Sequence, residues 1–107
     1  MRKVYHEVAR LADIAPGKCL TARLDDGEEC VVFRTRDDRV HATGPLCPHQ
    51  NEPLDLGHLE GNEVICRRHH LRFDIRTGDC TNAGGYSLRV FEVKVEDGAI
   101  LIGRWED

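Results

Sequence analysis

Apolar and polar residues alternate with a period of two in several short segments of this chain, the signature of strands with one buried face. Val4, His6 and Val8 alternate with Tyr5, Glu7 and Ala9, predicting a first strand. Leu11-Ala12-Asp13-Ile14, stopped by Pro16-Gly17, reads as one short helical turn. Leu20, Ala22 and Leu24 then alternate with Cys19, Thr21 and Arg23, and after Asp25-Asp26-Gly27-Glu28 comes the β-branched and aromatic run Cys30-Val31-Val32-Phe33. The two runs make a hairpin with Asp26-Gly27 at its tip, which sets Cys19 near Arg34 and Cys30 near Arg23. Asp37-Asp38-Arg39 is a second turn, followed by a short strand over Val40-His41-Ala42-Thr43.

Gly44 and Pro45 stop that strand just before Cys47, so the residues that follow should lie on a loop rather than in a ladder. Gly57 and Gly61 bracket a turn containing His58; Glu63-Val64-Ile65 is a strand delivering Cys66, and Leu71 to Ile75 a strand leaving the next loop. Gly78 turns the chain into a polar loop, Cys80 to Gly85. A closing hairpin runs from Ser87 to Val95, turns at Asp97-Gly98 and returns through Ala99-Ile100-Leu101-Ile102. Many short strands with turn residues between them indicate an all-β antiparallel sandwich or small barrel.

A chain of 107 residues is one domain of ordinary size. Hydrophobic residues at 40% and charged residues at 32% describe a soluble globular protein without a disordered tail. Met1 to Glu7 has two basic residues but no apolar run of the roughly 7 to 15 residues that export requires, so the expectation is a cytoplasmic protein that meets no membrane. Five cysteines in such a chain read as reduced thiols, with Cys19, Cys30 and Cys80 packed inside or at sheet edges. The net charge of −4 and only six Phe, Trp and Tyr residues argue against nucleic acid.

The candidate chemistry lies in two Cys/His pairs, Cys47-x-His49 and Cys66-x-x-His69, separated by sixteen residues. Thiolate and imidazole together select zinc or iron-sulfur. Zinc modules usually present like ligands on each knuckle. Here each knuckle offers one of each kind, which suits two inequivalent metal ions, as in 2Fe-2S clusters where two His replace two Cys on one iron. A structural zinc domain is the alternative. His6, His41 and His58 read as packed or surface residues.

The runs Cys47-Pro48-His49-Gln50, Gly57-x-Leu59-Glu60-Gly61, Cys66-x-x-His69 and Phe73-Asp74-x-x-Thr77-Gly78 resemble the Rieske-type ferredoxins of multicomponent bacterial oxygenases. Cys66-Arg67-x-His69 is more similar to the ferredoxins of toluene-type diiron monooxygenases than to those of ring-hydroxylating dioxygenases. The latter usually carry Pro and often Gly where this chain has Arg67 and His70. The resemblance implies a single Rieske 2Fe-2S domain over 1–107, an antiparallel β-sandwich or small barrel with a two-loop cluster-binding subdomain at about 44–80. It implies one 2Fe-2S cluster held by Cys47, His49, Cys66 and His69, the two-residue spacing favouring His69 over His70. The third loop, where such proteins often carry proline, has Asn82-Ala83-Gly84-Gly85 and should be more mobile.

Two neutral imidazoles in place of two thiolates make the oxidised centre formally neutral, which raises Rieske potentials to about −150 to +300 mV against about −400 mV for plant-type ferredoxins. Respiratory Rieske proteins add a disulfide and two hydroxyls whose positions correspond to Glu52, Arg68, Leu71 and Phe73 here, so the resemblance implies the lower half of that range. It also implies a carrier of single electrons, not an enzyme. NADH yields electrons in pairs, and no G-x-G-x-x-G occurs among the ten glycines, so a flavoprotein NADH reductase is expected upstream and a terminal oxygenase or hydroxylase downstream. A redox-sensing regulatory module is the rival function. Aromatic hydrocarbons as substrates of the parent system follow from the resemblance alone.

Electrons should leave through His49 and His69, with Gln50, Pro53, Leu54, His70 and Leu71 forming a docking surface on a monomer. Cys66 to Arg76 carries four arginines against one aspartate, whereas Asn51 to Glu63 carries four carboxylates and no Lys or Arg. Arg67, Arg68 and Arg72 are therefore expected to steer an acidic partner, or else to form an ordinary solvated rim.

Overall fold

The structure, a computed structural model, describes residues 1–68 and 70–106. Six long strands form one antiparallel sheet: β1 (Arg2–Arg10), β2 (Lys18–Arg23), β3 (Glu29–Arg34), β4 (Val40–Thr43), β10 (Val90–Glu96) and β11 (Ala99–Glu106), in the order β1-β11-β10-β4-β3-β2. The sheet curls until its edges β1 and β2 meet, and His6 of β1 reaches Asp25 beyond the end of β2 at 2.8 Å. An incomplete barrel results, as the strand pattern predicted. Leu11–Asp13 forms the expected single turn, here a 3-10 turn, whose carbonyl neighbours Leu11 and Ile14 accept hydrogen bonds from the Arg34 guanidinium.

The first hairpin differs from expectation by one residue. Its loop is Asp25-Asp26-Gly27, three residues rather than two, because Gly27 adopts a left-handed φ of 91° that a three-residue loop with a bulge requires. Cys19 therefore stands opposite Phe33 and Cys30 opposite Ala22. The closing hairpin turns at Asp97-Gly98, but β11 continues to Glu106, well beyond Ile102.

Strand β3 is buried on both faces. Cys30 and Val32 point into the barrel with Ile14, Ala22, Leu24, Ala42, Ile100 and Ile102. Val31 and Phe33 point the other way, into a second core with Cys47, Leu54, Val64, Cys66, Phe73, Ile75 and Leu88. That second core belongs to a subdomain inserted between β4 and β10. It contains β5 (Leu46–Cys47), β6 (Glu52–Pro53), β7 (His58–Glu60), β8 (Glu63–Ile65) and β9 (Arg72–Asp74), paired as β5-β6 and β7-β8-β9. Strands of two or three residues are too short to show alternation, so β5, β6 and β7 were not legible. His58 lies in β7 rather than in a turn, beside Glu60 at 3.1 Å.

Candidate metal centre

The two cysteine loops are built alike. Cys47 ends β5 opposite Glu52, and Asn51 N–H donates to the Cys47 carbonyl at 2.8 Å. Cys66 follows β8; its N–H donates to the Leu71 carbonyl at 2.9 Å, and His70 N–H donates to the Cys66 carbonyl at 3.1 Å. In each case the residue four places after the cysteine reverses the chain with a left-handed φ of 56°, at Asn51 and at His70. Asparagine and histidine are among the few non-glycine residues that tolerate this conformation, which is the local reason the sequence turns there. Cys47 thus closes a minimal ladder, a correction to the expectation of a free loop.

Both sulfurs are buried, fully shielded in the core shared with Val31 and Phe33, where the two cysteines are neighbours. Burial pushes the Cys47 thiol above its ordinary range; the backbone N–H groups of His49 and Gln50, aimed at its sulfur, work against that, while the Cys66 thiol raises it further. Adjacent sulfurs with amide donors already directed at one of them suit a pair of thiolates on a single iron. His49 is exposed on the same loop, its ring T-shaped against Tyr86 with centroids 5.3 Å apart and planes at 84°. His69, the expected second imidazole, lies outside the described residues.

His70 is exposed, and its backbone is tied at both ends, the N–H to Cys66 and the carbonyl to the Asn82 side chain at 2.9 Å. Asn82 was missed as a site residue. Its Oδ1 also accepts from Arg72 N–H at 3.0 Å, so the start of the third loop is tied to the second cysteine loop. All five cysteines are unpaired: Cys30 is buried, and burial raises its pKa to about 11; Cys19 and Cys80 are half-buried.

Of the expected docking residues, Gln50, Pro53 and His70 are exposed and Leu71 is half-buried. Leu54 is not available: at 0% exposure it is a core residue, because its N–H is drawn to the Pro45 carbonyl and its side chain into the second core. The arginines are matched within the subdomain. Arg67 and Arg68 both pair with Glu52, at 2.6 and 3.6 Å, Arg72 pairs with Glu60 and Glu63, and Arg76 pairs with Asp74. The acidic and basic stretches of sequence therefore face one another across the fold. Sites marked by the resemblance for a disulfide, Glu52 and Arg68, are joined by an ion pair.

Comparison with known proteins decides what this arrangement is. The Rieske 2Fe-2S domain profile matches residues 4–92. The chain belongs to the Rieske 2Fe-2S family. It is 35% identical over 100 residues to the ferredoxin component of the alkene monooxygenase system of Xanthobacter autotrophicus, covering 92% of this chain and 80% of that one. It is 36% identical over 92 residues to the ferredoxin component of the p-cumate 2,3-dioxygenase system of Pseudomonas putida, covering 84% and 77%. Among solved structures, the complex of reduced oxygenase and oxidised ferredoxin in carbazole 1,9a-dioxygenase contains a chain with a TM-score of 0.80 and 28% identity, over 91% of this chain and 99% of that one. The protein is a Rieske electron carrier with one 2Fe-2S cluster and not itself an enzyme. Among the described residues no helix is long and apolar enough to cross a membrane.

Proposed function

We propose that Cys47, His49, Cys66 and His69 hold the cluster, and that the protein carries single electrons in the cytoplasm from a flavoprotein NADH reductase to the hydroxylase of a monooxygenase system. The observation that carries the ligand assignment is the pair of adjacent, buried Cys47 and Cys66 sulfurs at the ends of two like-built loops. The parent system is inferred from the likeness to an alkene monooxygenase ferredoxin, and five unpaired thiols accord with a reducing compartment.

When bound, a Rieske cluster supplies a one-electron couple near neutral formal charge. Around it, the core residues Val31, Phe33, Leu54 and Phe73 exclude water from the two sulfurs. The amides of His49 and Gln50 stabilise the Cys47 thiolate. His49, exposed at the tip, offers the short exit path, and exposed Pro48, Gln50, Pro53 and His70 surround it as a contact surface for the partner. Arg67, Arg68 and Arg72 brace the loops through Glu52, Glu60 and Glu63.

Reconstitution tests the reading: the reduced protein should restore substrate oxidation to an alkene or aromatic monooxygenase hydroxylase supplied with NADH and a flavin reductase. Reduction by the reductase without turnover by any hydroxylase or dioxygenase would overturn it. A side chain without hydroxyl at Phe73, fully buried, and an aliphatic one at Leu71 support a potential in the lower half of the Rieske range, and a titration above about +200 mV would contradict that.

A further inference from the structure

The loop between β9 and β10 touches both cysteine loops at once. Its ends are fixed: Phe73 bridges to Cys80, Asp79 bridges to Ser87, and Cys80 N–H donates to the Tyr86 carbonyl at 3.3 Å. From this closed loop two side chains reach outward. Asn82 ties its amide to the second cysteine loop, Oδ1 accepting from Arg72 N–H and Nδ2 donating to the His70 carbonyl, while Oδ1 also accepts from the Cys80 thiol of its own loop at 3.5 Å. Thr81 adds a bond from its N–H to the Arg72 carbonyl at 2.8 Å. Tyr86 meets the His49 ring of the first loop at near right angles.

A planar amide bonded to a carbonyl and an N–H two residues apart leaves the segment between them little freedom. That segment follows His69 directly in sequence, and His70 there holds a backbone conformation that L residues rarely adopt. An aromatic ring packed at right angles to an imidazole likewise restricts rotation of that ring. We propose that Asn82 and Tyr86 are positioning residues for the cluster, one fixing the second ligand loop and the other the ring plane of His49, through a non-covalent clamp across the two loops. The inference rests on the ligand assignment above. Its consequence is that the course of the second ligand loop and the plane of the His49 ring, and with them the electronic anisotropy and potential of the bound cluster, are set from a third loop that supplies no ligand.

The test uses the purified holoprotein and compares Tyr86→Phe, Tyr86→Leu, Asn82→Ala and Asn82→Asp with wild type, reading the EPR g-values of the reduced state, the midpoint potential and the rate of iron loss to a chelator. Tyr86→Phe keeps the ring and should match wild type. Tyr86→Leu should shift the g-values and potential, and Asn82→Ala should release iron roughly tenfold faster. Asn82→Asp keeps the acceptor but loses the donor to the His70 carbonyl, so it should fall between, and it decides the case if the alanine variant does not fold. Wild-type spectra and iron retention in Tyr86→Leu and Asn82→Asp overturn the clamp. His49→Ala in the same series separates the two readings: a wild-type Rieske spectrum there strikes the ligand assignment itself, whatever Tyr86 does.

Discussion

The barrel and the cluster subdomain share a strand but are stabilised by different means. In the barrel, strands of up to nine residues are held by ladders, the longest interrupted by a bulge between Glu7 and Ala9, and the interior is filled by Ile14, Val32, Ile100 and Ile102. In the subdomain the strands have two or three residues, so the chain is held by loop hydrogen bonds, by the Glu52 and Arg72 ion pairs and by a core of which two members are cysteines. If the cysteines hold the cluster as proposed, the subdomain should draw part of its folding energy from that group, and the barrel should not.

The largest test removes that group. Cys66→Ala, or chelation of iron from the wild type, should abolish the visible spectrum and raise amide exchange across β5 to β9 while β3, β10 and β11 remain protected; a uniform rise throughout would mean the two regions are one cooperative unit. Next in size, Gly78→Ala strikes the joint between them. Gly78 has φ of 87°, and a Cβ there would stand 2.1 Å from the Leu88 carbonyl oxygen, so urea unfolding should show a loss of about 3 kcal/mol.

A finer test uses the two faces of β3. Val31→Ala and Val32→Ala should each cost about 2 kcal/mol, but only Val31→Ala, facing the cysteines, should also hasten iron loss. Equal effects on iron retention would dissolve the distinction. The smallest effect belongs to the barrel seam. Hydrogen bonds to Glu106 and Asp25 raise the His6 pKa above its ordinary value, partly offset by burial. Its stabilising contribution is therefore complete below about pH 6.5 and fades as pH rises through the folded value. The stability gap between wild type and His6→Gln should be wider near pH 6 than near pH 9, and a gap independent of pH would remove His6 from the seam.

How much was legible follows from range. Alternation along β1, β2 and β10, the β-branched run of β3, the turn at Asp97-Gly98 and the Cys/His spacing are all properties of neighbours in sequence, and local sterics and periodicity were enough to read them. The segregation of charge between Asn51–Glu63 and Cys66–Arg76 was legible too, yet its meaning was not. Only the pairing of β7, β8 and β9 and the approach of the two loops bring Arg72 to Glu60 and Glu63, and Arg68 to Glu52. Burial of Leu54 and the reach of Asn82 and Tyr86 across to the ligand loops were decided in the same way, by contacts between residues far apart in the chain. What one strand does can be read from its own residues; which strand lies beside it depends on the packing of the whole.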